Sequence, residues 1–386
     1  MASETRHPTL TALEDESQQN NGALLSLLEI GRELTAQQDL SSLWDLIMRR
    51  VNQLLDAERS TLYLVEPSTA EIYTIKMEGN TFLKIRLQVG HGIAGIVAQT
   101  GETINIPDVY LDPRWSGRAI DKQLGVRTRS MLCMPLRDRQ HDIIGAIQVM
   151  NHRDRPFDAT SEAMLAALCS FAAIALENTR LYESLRRTFD SFVQALTVAI
   201  DARDRSTAGH SERVATYCLF IGVEMGLTDG ELELLRHTAT LHDIGKIGVP
   251  EAILTKPERL TDAETEVMRR HVLESERILR NVEFARGLED IPACVGQHHE
   301  RVDGTGYPNG LKGEEICLSA RILHVADVFD ALSSRRHYRE PDPPTVALEA
   351  IKHGAGSDFD SKVVAAFMRA WPAIEARWTQ YATQGQ

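Results

Sequence analysis

Seven side chains in the second half of the sequence could do chemistry together: His210, His242, Asp243, His271, His298, His299 and Asp327. Imidazole nitrogens and carboxylate oxygens suit iron, manganese, zinc or nickel better than magnesium or calcium. This set holds about enough ligands for two metals roughly 3.5–4 Å apart. The pair His242-Asp243 fits that task, because the imidazole can bind one metal while the two carboxylate oxygens bridge to a second. On a helix, His298 and His299 would point about 100° apart. They need a metal at the helix end or a cluster shared with other helices. Taken one at a time, each histidine reads more readily as a satisfied core or surface residue. Spacing alone leaves a metal centre and a set of unrelated histidines equally open. His7, His91, His141, His152, His237, His324, His337 and His353 carry no comparable pattern.

Helices must position these groups. From Asp201 onward the strand signal vanishes, and helical patterns recur at Ala208–Met225, Asp229–His242, Asp262–Leu279, Ser319–Leu332 and Ser361–Ala370. Thr261 with Glu264 three residues later is a capping box for the third. A glycine-rich loop, Asp303–Gly313, interrupts the helices, and this half is expected to be all-α. The first half differs. Leucines at 24, 27, 28, 43 and 54 with Ile47 and Val51 fit buried helical faces. Strands are expected at Ser60–Glu66, Glu71–Met77, Leu83–Val89, Ser130–Leu136 and Ile143–Met150. Helices at Ile93–Gln99 and from Ser161 make it an α+β domain with a mostly antiparallel sheet.

The two halves are joined by a regular seam. Leu168, Phe171, Ala175, Asn178, Tyr182, Leu185, Phe189, Phe192, Leu196 and Ala199 alternate spacings of three and four, with no Pro or Gly among them. This heptad pattern predicts a parallel two-stranded coiled coil and hence a homodimer, with Asn178 as a polar residue that fixes register. The other reading is a long amphipathic helix packed on its own domain.

Composition sets the outer bounds. The chain has 386 residues, 43% hydrophobic and 25% charged, which fits two or three globular domains. Its net charge of −13 argues against non-specific binding to DNA, RNA or an anionic membrane. An anionic ligand then needs a local basic cluster or metal ions. The five cysteines are scattered and form no CxxC, which reads as reduced cytosolic thiols. Residues 1–20 are polar and aperiodic, predicting a disordered tail and no secretory signal. The most apolar run, Ala163–Leu176, is shorter than the ~20 residues of a membrane span. A cytoplasmic protein is expected.

The run His242-Asp243-Ile244-Gly245-Lys246, then His298-His299-Glu300-Arg301-Val302-Asp303-Gly304-Thr305-Gly306-Tyr307-Pro308, then Asp327-Val328-Phe329-Asp330-Ala331-Leu332, resembles an HD-GYP domain. The likeness spans about residues 188–380 in an all-α fold. It implies a metal-dependent phosphodiesterase that opens cyclic di-GMP to linear pGpG and often on to GMP. It implies metal ligation by His210, His242, Asp243, His271, His298, His299 and Asp327, with Asp243 as the bridge. Iron or manganese would be the first choice and zinc or nickel the alternatives. Lys246 matches the family lysine that contacts the scissile phosphate or protonates the leaving group. Arg336 and Arg339 match positions that hold substrate phosphates, where guanidinium forks suit the anion. Tyr307 either bounds the guanine or serves fold and partner contacts. Some members hold a third metal through a Glu four residues before the first ligand histidine; here that residue is Ser206, so two metals are expected. Such metals acidify water to a hydroxide near neutral pH, and that hydroxide attacks phosphorus in line. The alternative is a catalytically weak module that binds nucleotide or a partner protein.

Gly90-His91-Gly92-Ile93-Ala94-Gly95, Thr100-Gly101-Glu102, Ile106-Pro107-Asp108, Arg127-Thr128-Arg129-Ser130-Met131-Leu132 and Ile144-Gly145-Ala146-Ile147-Gln148-Val149 together resemble a GAF sensor domain over about 21–180. The region from Asp121 to Pro135 is similar to cyclic-nucleotide-binding GAF domains. Asn151, Phe157 and Glu162 match that subgroup, whereas His152 and Ser161 depart from it. The ligand is therefore a cyclic nucleotide or another small molecule, or the domain only dimerises. Residues 163–200 are expected as a connecting dimerisation helix shared by both domains.

Overall fold

A computed structural model of the chain describes residues 25–37, 39–66, 68–78, 81–115, 117–118, 121–122, 125–203, 209–334 and 343–383. The expected tail over 1–20, Ser206, Arg336 and Arg339 lie outside the described residues. The chain divides into two units, Met1–Arg187 and Thr188–Gln386.

In the first unit, helices α1 (residues 25–35) and α2 (Leu40–Leu54) precede strands β1 (Ala57–Glu66), β2 (Glu71–Glu78) and β3 (Thr81–Gln88). Helix α3 (Gly92–Thr100) and strands β4 (Ile104–Ile106), β5 (Met131–Arg137) and β6 (Ile143–His152) follow. The strands form one antiparallel sheet of order β3-β2-β1-β6-β5-β4. Alternation along β5 fixes which side chain faces which layer. Leu132, Met134 and Leu136 pack with Leu43, Ile47 and Leu168, while Met131 and Cys133 pack with Ile93 and Val97. The sheet is thus buried on both faces. Strand β4, three residues long, was not expected from sequence, because a segment that short cannot display a two-residue period.

Helix α4 (Ala159–Asp201) runs 43 residues and carries the boundary between the units. The heptad seam does not behave as one continuous stripe. Leu168 and Ala175 are buried in the core of the first unit, and Phe171 packs against it. Phe189 and Leu196 pack in the second unit, around Val193. Tyr182, Leu185 and Phe192 are exposed, at 51%, 69% and 61%. By length and composition Ala159–Ile200 is apolar enough to cross a membrane, contrary to the expectation from the shorter run. Much of that apolar surface is core: Leu165, Leu168, Ala172 and Leu176 are fully buried.

The second unit is helical among its described residues: α5 (His210–Glu224), α6 (Asp229–Leu241), α7 (Glu251–Leu254), α8 (Asp262–Arg269), α9 (His271–Leu279), α10 (Ile291–Val295), α11 (Leu318–Ser333), α12 (Pro344–His353) and α13 (Ser361–Thr383). A 3₁₀ turn, Ile244–Gly248, follows α6. The capping box forms: Glu264 Oε2 accepts the Thr261 N–H at 2.8 Å, and Thr261 Oγ1 accepts the Glu264 N–H at 3.3 Å. The helix expected over Asp262–Leu279 is broken at Arg270, whose N–H bonds Val267 O three residues back. The Met268 carbonyl accepts instead from the His271 ring. Two apolar clusters support the unit. One joins α5, α6, α11, α12 and α13 around Tyr217, Phe329 and Phe367. The other joins the end of α4 to Leu241, Ile244, Leu279, Ile291 and Val295. His242 and Asp243 fall in sequence between Ala239 of the first cluster and Ile244 of the second.

Candidate metal centre

The seven residues singled out from sequence come together in the second unit. His210 opens α5, His242 and Asp243 follow α6, His271 opens α9, and Asp327 lies within α11. His298 and His299 stand in the turn after α10, not on a regular helix, which lets their rings approach to 4.1 Å between centroids. His210, His242, Asp243, His271, His298 and Asp327 are all buried.

The donors sort into two groups, His210 with His242 and Asp243, and His271 with His298 and His299. Asp243 stands between them. Its Oδ2 is 3.3 Å from His242 Nε2 and 4.0 Å from His210 Nε2, and its Oδ1 is 3.4 Å from His271 Nε2. Asp327 Oδ1 adds to the first group at 3.3 Å from His210 Nε2. Lys246 Nζ lies 2.7 Å from Asp243 Oδ2.

Each orienting contact follows from local geometry. The Nδ1 atoms of His242, His271 and His298 each bond, at 2.7 Å, the carbonyl three residues earlier: Ala239, Met268 and Val295. His210 Nδ1 bonds Asp330 Oδ2 at 2.7 Å. With Nδ1 engaged, Nε2 of all four rings is left toward the shared interior, the usual outer-shell device of histidine metal sites. Ser275 Oγ donates to His242 O and accepts the Gly245 N–H, both at 2.8 Å. A Cβ at Gly245 would lie 2.0 Å from His271 O, so only glycine lets the turn pass this close. The donor set, tautomers and burial fit transition-metal ions.

Electrostatics agree with that fit. Burial pushes the His298 pKa well below its ordinary value, reinforced by His299, His242 and His271, and burial pushes His299 down to about 3. Both rings are therefore neutral, the form that ligates metal. Burial opposes charge on His210, but hydrogen bonds to Asp327 and Asp330 outweigh it and carry its pKa up to about 9. Burial likewise opposes charge on Asp243 and Asp327. Neighbouring cations overcome it, His242 and Lys246 for Asp243 and His210 for Asp327, and both carboxyls stay well below the usual range.

Sequence reasoning passed over the supports of this cluster. Asp330 is buried and holds both His210 and Arg213, the latter through Nε at 2.8 Å. Arg213 is three residues past His210, and Asp330 three past Asp327, so each pair shares a helix face; that spacing was the available signal. His324, set aside in the sequence, packs its ring 6.5 Å from His299 and bonds His298 O through Nδ1 at 3.1 Å. His237, also set aside, is a buried core ring edge-on to Phe189. Glu300 accepts the N–H groups of Asn309, Gly310 and Leu311 and so shapes the loop after the histidines. Tyr307, half-buried in that loop, stacks on His299 at 4.9 Å with the Arg269 guanidinium 4.9 Å from its ring.

The family comparisons match this division of the chain. An HD domain model matches residues 194–363 and a GAF domain model residues 39–176. The first unit thus matches a GAF domain and the second an HD domain. Among its relatives, 3′3′-cGAMP-specific phosphodiesterase 2 of Vibrio cholerae is 36% identical over 198 residues, 51% of this chain and 38% of that protein. The cyclic di-GMP phosphodiesterase response regulator RpfG of Xanthomonas campestris is 39% identical, over 49% of this chain and 50% of its own. A cyclic di-GMP phosphodiesterase of Thermotoga maritima is 40% identical, over 46% and 48%. The chain thus spans half or less of the length of these three relatives. Among solved structures, the GAF domain of an Acinetobacter phosphoenolpyruvate-protein phosphotransferase is 18% identical, covering 42% of this chain and 97% of that one, at TM-score 0.36.

The GAF domain holds a cavity of about 280 Å³ lined by Arg59, Tyr63, His91, Trp115, Asp121 and Gln148, among others. Asp121 accepts from Thr128 N–H at 2.8 Å, Tyr110 OH at 3.1 Å and Arg59 at 3.2 Å. Of the three residues matching the cyclic-nucleotide subgroup, Asn151 and Glu162 are engaged elsewhere. Asn151 ties Glu58 to Arg127 O, and Glu162 accepts from Asn105 on β4.

Proposed function

We propose that this chain hydrolyses a phosphodiester bond of a cyclic dinucleotide, cyclic di-GMP first, to linear pGpG. One observation carries the reading: Asp243 turns one carboxylate oxygen to each of two imidazole groups, with the Lys246 ammonium on the oxygen facing the first. His210, His242, Asp327 and Asp243 would hold one ion, and His271, His298, His299 and Asp243 the other. Iron or manganese is the proposed pair. Bound there, the metals supply acidified water and neutralise charge on the phosphoryl oxygens. The relatives named above, cyclic di-GMP and 3′3′-cGAMP phosphodiesterases, support the substrate class.

The chain's own residues do the rest. Burial keeps bulk water from competing for the Nε2 atoms and strengthens each charge interaction. Lys246 holds its ammonium 2.7 Å from Asp243 Oδ2. From there its ammonium can contact the scissile phosphate or give a proton to the leaving 3′-oxygen. Arg336 and Arg339 are proposed to hold the flanking phosphates, and Tyr307 to bound the base.

Residues 21–180 are read as the sensor and 188–380 as the catalytic domain, coupled through a parallel homodimeric helix over 163–200 in a cytoplasmic protein. Within the catalytic half, Phe189, Val193 and Leu196 pack among Leu241, Ile244 and Val295, neighbours in sequence of His242, Asp243 and His298. A shift of this helix would therefore reach the ligands directly. The sensor's small ligand would act by favouring one arrangement of the pair over another.

The test is metal analysis of anaerobically purified protein, coupled to product identification with cyclic di-GMP and 3′3′-cGAMP supplied separately. Two metals per chain and release of pGpG are expected. Cleavage of 3′3′-cGAMP alone would replace the substrate, and no cleavage of either by metal-loaded protein would overturn the proposal.

A further inference from the structure

Residues 240–249 carry His242, Asp243 and Lys246, and two neighbours hold the two ends of this segment. Ser275 on α9 holds the first: its Oγ accepts the Gly245 N–H and donates to His242 O, both at 2.8 Å. The second end is held from α4. Arg203 stands in a turn two residues past that helix, with its own N–H on Ile200 O at 3.0 Å. Its Nη1 donates to Ile247 O at 2.6 Å and its Nη2 to Val249 O at 3.2 Å. A helical turn ends with carbonyls that have no donor of their own. A guanidinium supplies two N–H groups in a rigid fork, and its charge makes each bond stronger than a neutral one. The stem of Arg203 lines an apolar groove with Ile200, Ile244 and Ile247, so packing also fixes where the fork lies.

Lys246 lies between these anchors. Its N–H bonds Asp243 O at 2.9 Å, and its carbonyl accepts the Val249 N–H at 3.0 Å, so the turn carries the position of either end to it. The anchors differ in what they fix. Ser275 grips the backbone at His242 and Gly245, around Asp243. Arg203 grips carbonyls one and three residues beyond Lys246.

We propose that Arg203 is a positioning residue for Lys246. Its fork holds the far end of the 3₁₀ turn and so keeps the lysine ammonium on Asp243 Oδ2, where it lies at 2.7 Å. Without the fork, Ser275 still holds the backbone around His242 and Asp243, and only the lysine side of the turn is released. Arg203 also follows α4 directly, so rotation of that helix reaches Lys246 through it while the metal content stays constant. The clamp itself stands on geometry; its effect on turnover rests on the phosphodiesterase reading.

The test compares full-length unmutated protein with R203A, R203K, K246A and the double variants, all loaded with manganese. Amide hydrogen exchange with site-resolved fragmentation reads the clamp. In R203A the Val249 N–H should exchange faster, while the Gly245 N–H keeps its protection. Unchanged exchange at Val249 overturns the clamp. Metal content and KM for cyclic di-GMP should match the unmutated protein, and kcat should fall by about 10–10²-fold, the scale of a catalytic group misplaced by ~1 Å. R203K, with an ammonium in place of the fork, should lose less. In the K246A background either substitution should cost no further kcat, because Arg203 acts through the lysine. Independent losses that multiply would overturn that route, as would a variant that sheds metal. If R203A does not fold, R203K carries the same exchange measurement and the same cycle. Failure of the unmutated, metal-loaded protein to cleave any cyclic dinucleotide would refute the phosphodiesterase reading, while exchange at Val249 still decides the clamp.

Discussion

Asp243 is the residue on which the two metal groups depend. Asp243→Ala should abolish both metals together, read by elemental analysis after gel filtration. Loss of only one would disprove the bridge. Lys246 touches the same carboxylate but is not needed as a ligand. Lys246→Ala should retain both metals and lower kcat by about 10²–10⁴-fold, the usual scale of a lost general acid; unchanged kcat would reject its role. His210 gives the pH dependence. Its pKa is raised from 6.5 to about 9 by Asp327 and Asp330 against the cost of burial. Metal arriving at Nε2 must displace that proton. Metal affinity should therefore climb about tenfold per pH unit up to about 9 and then level. The same shift stabilises the metal-free fold fully below about 6.5, a contribution lost as pH rises through about 9. Calorimetry in buffers of different ionisation enthalpy reads the released proton; no release at pH 7 would contradict the assignment.

At the scale of elements, the centre is built from helix ends. Histidines after α6 and α10 and at the start of α9 each return Nδ1 to a carbonyl three residues back. The turn at Gly245 locks the segment after α6 against α9. Gly245→Ala would drive a methyl group into His271 O and the Ser275 backbone, at 2.0 and 2.4 Å from an ideal Cβ. Neither is a flexible side-chain end, so α9 must shift and carry His271 with it. The variant should lose about 1–3 kcal/mol of stability in a denaturant melt and bind metal more weakly. A wild-type melt with full metal content would place the slack elsewhere.

For the molecule as a whole, helix α4 is the element that both units share. Its exposed Leu185 and Phe192 remain open on the single chain, and a second copy of the helix would cover them. Light scattering should find a dimer at micromolar concentration. Insertions of one and four residues beside Arg187 should alter basal or ligand-stimulated turnover differently, because each rotates the helix by a different angle. Identical behaviour of both insertions would make the helix a passive tether. The seven donors, the capping box at Thr261, the antiparallel α+β first half and the helical second half were legible in the sequence, since each rests on residue type, short spacing or periodicity. Strand β4 and the break at Arg270 were not, because one is too short for a period and the other depends on where a histidine ring finds its acceptor. The heptad seam gave a correct helix but not its partners, as Leu168 and Phe189 pack in different units. Sequence alone determined which donors the chain possesses and on which kinds of element they stand. Only the tertiary structure decided that Asp243 divides its oxygens between two groups and that Asp330 and Arg213 support His210. Those outcomes depend on residues far apart in the chain reaching one another through packing, and no local pattern encodes such a distance.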